Sequence, residues 1–476
     1  MRIGGHVNAR VGRPTEGGSV LIIVLWIAFG LVALALYFAN SMNFEMRAAD
    51  NRVSSQSAEQ AIEGAVRYLT YILTTQANDG SNGVMPDLTS YVYRAVPVGD
   101  AHFWLIGRDT NLPTGPGNMS FGLVDEASKL HLNFATSNQL IWLPRMTVDL
   151  TTAILDWRDT NGTGPTVAYY AMQQPPYLCK CDPFETVDEL RMVYGSGMDI
   201  LVGEDVNRNG ILDPDENDEN QNNMVDPGIL EYSTVYTREP NTNSDGSLKI
   251  NISNLTSSAT QLSAMLSTNF SSTRADQILT ALGVTMGGGS TGRPGAPRGG
   301  GGGGAGTIVA PSYQSPLAFY ARSGMTSTEF AQIATNLTTS TNSIIEGRVN
   351  VNTASEAVLT CLLGGDDAAA QQLVNYRLSN PTALTSIAWI IDALGQSYPD
   401  ALQALEAGDY ITTQTYQFTA DVAALGPFGR GYRRVKYVFD TSSGTPQIIY
   451  RQDLTHLGWA LGKEVRQNYV LARNKN

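Results

Sequence analysis

The apolar positions near the start of the chain form one uninterrupted block. No charged residue occurs between Gly17 and Phe44, and Val20 to Ala39 is apolar throughout apart from Gly30. Twenty helical residues span roughly 30 Å, the hydrocarbon thickness of a bilayer. Past the block, Ala58, Ile62, Ala65, Leu69 and Ile72 recur at helical spacing while Glu59, Glu63 and Arg67 face elsewhere. The pattern therefore predicts one helix running on to about residue 75, amphipathic in its second half, with Glu63 and Arg67 a favourable i,i+4 pair. After Gln76 the period shortens. Phe103-Trp104-Leu105-Ile106 and Phe121-Gly122-Leu123-Val124 read as strands bounded by Asp, Asn, Gly and Pro. Near the other end Val435, Tyr437 and Phe439 alternate with Arg434, Lys436 and Val438, and Thr441-Ser442-Ser443-Gly444 turns the chain into Ile448-Ile449-Tyr450. That hairpin is expected to join the early strands in one sheet packed on the N-terminal helix.

Between these ends the sequence repeats itself. At a shift of 219 residues Leu132 matches Val351, Asn133 matches Asn352, Ala135 matches Ala354, Leu140 matches Leu359, Leu143 matches Leu362 and Arg158 matches Arg377. A weaker third copy begins at Ser247-Leu248-Lys249-Ile250-Asn251-Ile252. Each unit reads as a short extended segment, a capped helix, a turn and a second helix, the economical product of duplication. Asn-x-Ala before two helices (Asn133 and Ala135, Asn352 and Ala354) resembles the helix-hairpin-helix of DNA-binding proteins. Those hairpins present glycine amides to a phosphate, whereas this chain has Leu143-Pro144-Arg145-Met146 and Leu363-Gly364-Gly365-Asp366-Asp367 at the turns. Missing glycine in one and paired carboxylates in the other argue against nucleic acid. Asp156 and Asp159, on either side of Trp157-Arg158, are expected to form a helix-end ion pair with Arg158 rather than an acid pair.

Charge sharpens the picture. The 476-residue chain carries 31 Lys plus Arg against 44 Asp plus Glu, a net charge of −13, but residues 204–231 alone hold nine acids and one Arg. An acidic chain has no electrostatic basis for free-standing DNA binding. Gly287 to Gly306 holds 12 Gly in 20 residues and reads as a flexible linker. Three cysteines (Cys179, Cys181, Cys361) and four scattered histidines (His6, His102, His131, His456) form neither a disulfide framework nor a zinc pattern, and Cys361 is left as a possible partner of Cys179 or Cys181. No nucleophile elbow, P-loop or G-x-G-x-x-G is present, so no catalytic residue is assigned and the chain is read as a non-enzyme.

The acidic run contains one sharp motif. Asp205, Asn207, Asn209, Asp213 and Glu216 fall at positions 1, 3, 5, 9 and 12 of an EF-hand-like loop, with Gly210 at 6 and the Ile211 carbonyl at 7. A hard cation such as Ca²⁺ needs that many oxygens, and Gly210 permits the turn that wraps them round it. Asp218, Asn220, Asn222 and Asp226 repeat the 1, 3, 5, 9 spacing with Asn223 in place of Gly. A structural Ca²⁺ is expected at the first array, with a looser site at the second.

Arg2, Arg10 and Arg13 place residues 1–18 in the cytoplasm by the positive-inside rule. The small pair Gly17-Gly18 precedes the apolar run, and Ala39-Asn40-Ser41 after it is a poor cleavage site. Cleavage ahead of the run resembles type IV prepilins and type II secretion pseudopilins, which implies Gly18 as the last leader residue and Ser19 as the first mature one. Counted from Ser19, position five is Ile23, where most pseudopilins carry Glu; the K-type minor pseudopilin is the member that lacks it and caps the tip. Ile154-Leu155-Asp156-Trp157-Arg158-Asp159, Pro175-Pro176-Tyr177 and Pro183-Phe184-Glu185-Thr186-Val187-Asp188-Glu189-Leu190-Arg191 are similar to the signature of that K family. The resemblance implies an α+β fold: a pilin-like transmembrane helix packed on an antiparallel sheet, with a large inserted α-helical domain of helix-hairpin-helix-like repeats. The expected division is leader 1–18, helix 19–75 (19–40 transmembrane), first strands 76–125, helical insert 126–400 and last strands 401–476. It also implies a single-pass inner-membrane protein with its bulk in the periplasm, an assembly role in protein export, and as partners the other minor pseudopilins, the major pseudopilin, the prepilin peptidase and the inner membrane, but no nucleic acid. The alternative is a minor pilin or DNA-uptake protein.

Overall fold

A computed structural model describes residues 4, 17–110, 119–285 and 310–473; the Gly-rich stretch and most of the leader lie outside the described residues. The apolar block and the amphipathic stripe form one helix, α1 (Gly17–Asn78), 62 residues and about 93 Å long at 1.5 Å per residue. From Val20 to Val53 its side chains are exposed, and the window over its apolar half is long and hydrophobic enough to cross a membrane. From Ser54 onward it docks: Ala58, Ala61, Ile62, Ala65, Leu69 and Leu73 are at most 2% exposed. The stripe closes on Leu73, which is buried, and on Ile72, which is half-buried against the same core.

The partner of that stripe is an antiparallel sheet. Its strands are β1 (Val96–Val98), β2 (Ala101–Ile106), β3 (Val124–Asp125), β4 (Gln417–Leu425), β5 (Arg433–Asp440) and β6 (Gln447–Asp453), in the order β1-β2-β4-β5-β6, with β3 also pairing β4. Val435, Tyr437 and Phe439 face α1 together with Phe103, Leu105, Phe418, Ala420 and Val422. Trp104, Ile106, Ala423 and Leu425 form a smaller core on the other face with Ala460 and Leu461. Phe121 to Val124 is not one continuous strand: Phe121 makes an isolated antiparallel bridge to Ile106, Gly122 has φ +142, and Val124 opens β3.

The described residues between β3 and β4 form an insert with its own core. Three units build it, and each closes on a short parallel pair: Leu130-His131 with Ser233-Thr234, Ile250-Asn251 with Leu337-Thr338, and Val349-Asn350 with Ile411-Thr412. The next amide bonds the partner strand in the same way each time, Leu132 to Thr234 O (2.9 Å), Ile252 to Thr338 O (2.8 Å) and Val351 to Thr412 O (3.0 Å). The units carry α2 (Ser137–Leu140) and α3 (Val148–Arg158), α4 (Leu255–Asn269) and α5 (Ser272–Ala281), and α6 (Glu356–Leu362) and α7 (Asp367–Ser379). The α+β architecture read from the sequence is the one observed.

Candidate cation site

The acidic segment hangs from a neck at the edge of unit one. Gly203 bridges Pro227, with Glu204 N bonded to Asp226 O (3.1 Å) and Gly228 N to Val202 O (2.9 Å). Inside the neck the two arrays have one conformation. Asp205 accepts from the amides of Asn209 (2.8 Å) and Gly210 (2.8 Å), and Asp218 accepts from those of Asn222 (3.2 Å) and Asn223 (2.9 Å). The amides of Asn207 and Asn209 both reach Asp213 Oδ2, at 2.7 and 2.8 Å; those of Asn220 and Asn222 both reach Asp226 Oδ2, at 2.6 and 3.2 Å. Positions 4 and 6 take positive φ in both arrays: Arg208 +56 and Gly210 +82, Gln221 +59 and Asn223 +58. Gly210 is required twice over, since a Cβ there would also lie 2.9 Å from Arg108 Cδ.

Burial separates the arrays. Asp205, Asn207, Asn209, Ile211 and Asp213 are buried, with Glu216 half-buried, whereas Asn220 and Asn222 are exposed and Asp218 and Asp226 only half-buried. Burial pushes Asp205 up to about 6, partly offset by Arg108, and pushes Glu216 up to about 7. Buried carboxylates of this kind are costly unless a positive charge meets them. Asn207 Oδ1 is buried without a hydrogen-bond partner, at a residue 8% exposed whose amide head lies at the point where the first array converges. Among the described residues no group of three or more His, Cys, Asp or Glu side chains is gathered into a metal set of its own. The donors that fit a hard cation at the first array are mixed: the carboxylates of Asp205, Asp213 and Glu216, the amide oxygens of Asn207 and Asn209, and the Ile211 carbonyl.

Sequence reasoning missed three residues that shape the segment. Glu204, 3% exposed, accepts from the amides of Glu219 (2.7 Å) and Asp226 (2.9 Å) and so ties the second array to the neck. Arg108 and Arg434 grip the back of the first array from the sheet side. Glu204 adjoins the motif in the acidic run; the arginines, remote in sequence, gave no local signal.

The other singled-out residues resolve differently. Arg158 does not pair with Asp156 or Asp159. Its guanidinium donates to Leu132 O and Ala135 O, and the matching Arg377 donates to Val351 O (3.1 Å) and Ala354 O (2.6 Å). Asp156 instead accepts from Thr166 N (2.8 Å) and Oγ1 (2.7 Å). Backbone carbonyls left open by the unit's bend outcompete the carboxylates. All three cysteines are free thiols. In the third unit's hairpin Gly365 has φ +94, and a Cβ there would lie 2.4 Å from Trp142; the glycine backbone is covered by unit one. Gly18 and Ser19 lie in the first turn of α1, and Ile23 is exposed on it.

No protein-family model and no curated protein sequence matches the chain. Among solved structures, the crystal structure of the GspK-GspI-GspJ complex from the enterotoxigenic Escherichia coli type 2 secretion system matches over 86% of this chain and 99% of the matched chain, at 9% identity and a TM-score of 0.38. A likeness of that degree leaves the chemistry of this chain to its own residues.

Proposed function

We propose that the chain is a minor pseudopilin of the K type, anchored in the inner membrane by α1 with its bulk in the periplasm, and that its role is assembly rather than catalysis. One observation carries the reading. A single helix is bare and apolar over its first half and docks its second half on an antiparallel sheet whose neighbouring strands β2 and β4 are separated in sequence by the three-unit insert. That is the body plan of a filament subunit carrying a bulky head. The bulk of the head would obstruct a further subunit, and Ile23 removes the carboxylate that would otherwise need a neighbour's N-terminal amine in the bilayer. Other minor pseudopilins, the major pseudopilin and the prepilin peptidase are the partners this role requires, and structural Ca²⁺ at the first array is part of the proposal. N-terminal sequencing of the mature protein tests it: processing to Ser19 is expected, and an intact Met1 would reduce the chain to a plain anchored protein.

A further inference from the structure

The first array is held from behind by the sheet. Arg434, on β5 and fully buried, pairs with Asp421 of β4 through Nε (2.8 Å) and Nη2 (2.5 Å). Its remaining donors reach Asn207 O and Arg208 O, the latter at 2.6 Å. Arg108, just past β2, pairs with Glu231 (2.7 Å) and donates to Arg208 O (2.8 Å) and Asn209 O (3.3 Å). Loop positions 3, 4 and 5 therefore have their carbonyls turned out to two guanidinium groups, while the side chains of 3 and 5 are turned in. The side-chain amides of Asn207 and Asn209 also reach Trp459 O (3.3 Å) and Ala460 O (3.5 Å), beside the core on the sheet's other face. Behind Asp205 a cavity of about 60 Å³, lined among others by Arg108, Lys129, Glu231, Asp421 and Lys436, continues the polar junction. Two cations next to a cation site would oppose binding, but Asp421 and Glu231 neutralise them in place, leaving their geometric effect. The contacts of the second array run elsewhere, to Glu204 and, through Glu219, to Arg145 of the insert (3.0 Å).

We infer that the first array is a latch between sheet and insert: an ion there fixes the loop whose backbone Arg108 and Arg434 hold, and so stiffens β4 and β5, whereas an ion at the second array does not. The inference rests on the cation reading of the first array. Its physical basis is linkage. A loop that must be ordered to bind the ion, and is bonded to the sheet only when ordered, transfers part of the binding free energy to the strands.

The test uses the full chain in detergent micelles, titrated with Ca²⁺ alone, with binding followed by calorimetry and hydrogen exchange followed over residues 417–425 and 433–440. Ca²⁺ should slow exchange in both strands by about tenfold or more. Asp213→Asn should abolish that protection and Asp218→Asn should retain it. The charge-neutral pair Asp421→Asn with Arg434→Gln should bind Ca²⁺ yet protect the strands no longer. Calcium binding by the wild type with unchanged exchange in β4 and β5, or protection lost in Asp218→Asn but kept in Asp213→Asn, overturns the latch while leaving the cation site standing. If calorimetry detects no Ca²⁺ binding, the cation reading itself fails and the latch with it.

Discussion

Arg158 and Arg377 were visible in the sequence as a matched pair 219 residues apart, yet their partners were not, because those partners are backbone carbonyls that no side-chain pattern records. The second unit shows the same demand met differently. Its corresponding residue is Ile278, fully buried, and the carbonyl of Ile252 is bonded by the amide of Tyr313 (3.1 Å) instead. His131, at the head of unit one, is a residue whose burial has a pH consequence. Burial pulls it down to about 4 from an ordinary 6.5, and its Nδ1 accepts from the Asn133 amide (3.2 Å). Between those two values the unfolded chain binds a proton that the folded chain refuses, so stability is present above 6.5 and is lost as pH falls toward 4. The loss should be about 1.4 kcal/mol per pH unit within that window. Thermal unfolding at pH 6.5 and pH 5, compared between the wild type and His131→Gln, measures it: the wild type should lose more stability than the variant over that step. Equal losses would show that His131 takes up its proton without unfolding.

At the scale of elements, legibility followed burial on one side or two. The docked half of α1 shows the helical period because one face meets the sheet and the other meets water. Strand β4 carries no alternation, since all nine of its residues are buried, between α1 on one face and the second core on the other. The repeats were legible where a short Asn-x-Ala segment recurs, and the conformation the two acidic arrays share goes with their common 1, 3, 5, 9 spacing. How the units pack was not, because a hairpin's neighbour is set by tertiary contact. The turn between α6 and α7 is the clearest case, with Trp142 of unit one lying against Gly365 of unit three. Gly365→Ala must hold an L-residue at φ +94 and move the indole as well, so a loss of about 2 kcal/mol or more is expected. Trp142→Ala in the same chain should recover the clash but not the backbone strain, so the double variant should be less destabilised than the two single losses added together. Simple additivity in thermal melts would place the indole elsewhere.

At the scale of the whole molecule, sheet and insert also meet at a second neck, apart from the one that carries the acidic segment, and it is built from two adjacent acids. Asp125 accepts from the Ala127 amide (2.8 Å), from Asn350 Nδ2 (2.8 Å) and Thr353 Oγ1 (2.5 Å) of unit three, and from Thr415 as the chain returns to the sheet. Glu126 accepts from Thr234 of unit one (2.9 Å), from Thr419 of β4 (2.5 Å) and from Lys129 (3.3 Å). Entry and exit strands thus meet at a dipeptide that touches the first unit, the third unit and the sheet together. Burial works against the Glu126 charge, but Lys129 and Lys436 hold it below the usual carboxylate range, down to about 2. Glu126→Gln would leave Lys129 buried without its counter-charge, a change of about 3 kcal/mol. A loss at the neck should differ in kind from one inside a unit. Gly365→Ala should lower the melting temperature of a single transition, whereas Glu126→Gln combined with Asp125→Asn should separate the insert from the sheet. Calorimetric unfolding of the double variant should then resolve two transitions where the wild type shows one. A single sharp transition in that variant would mean that the remaining contacts between sheet and insert, those of Arg434, Arg108 and Arg238 among them, and not the Asp125-Glu126 neck, make the molecule fold as one.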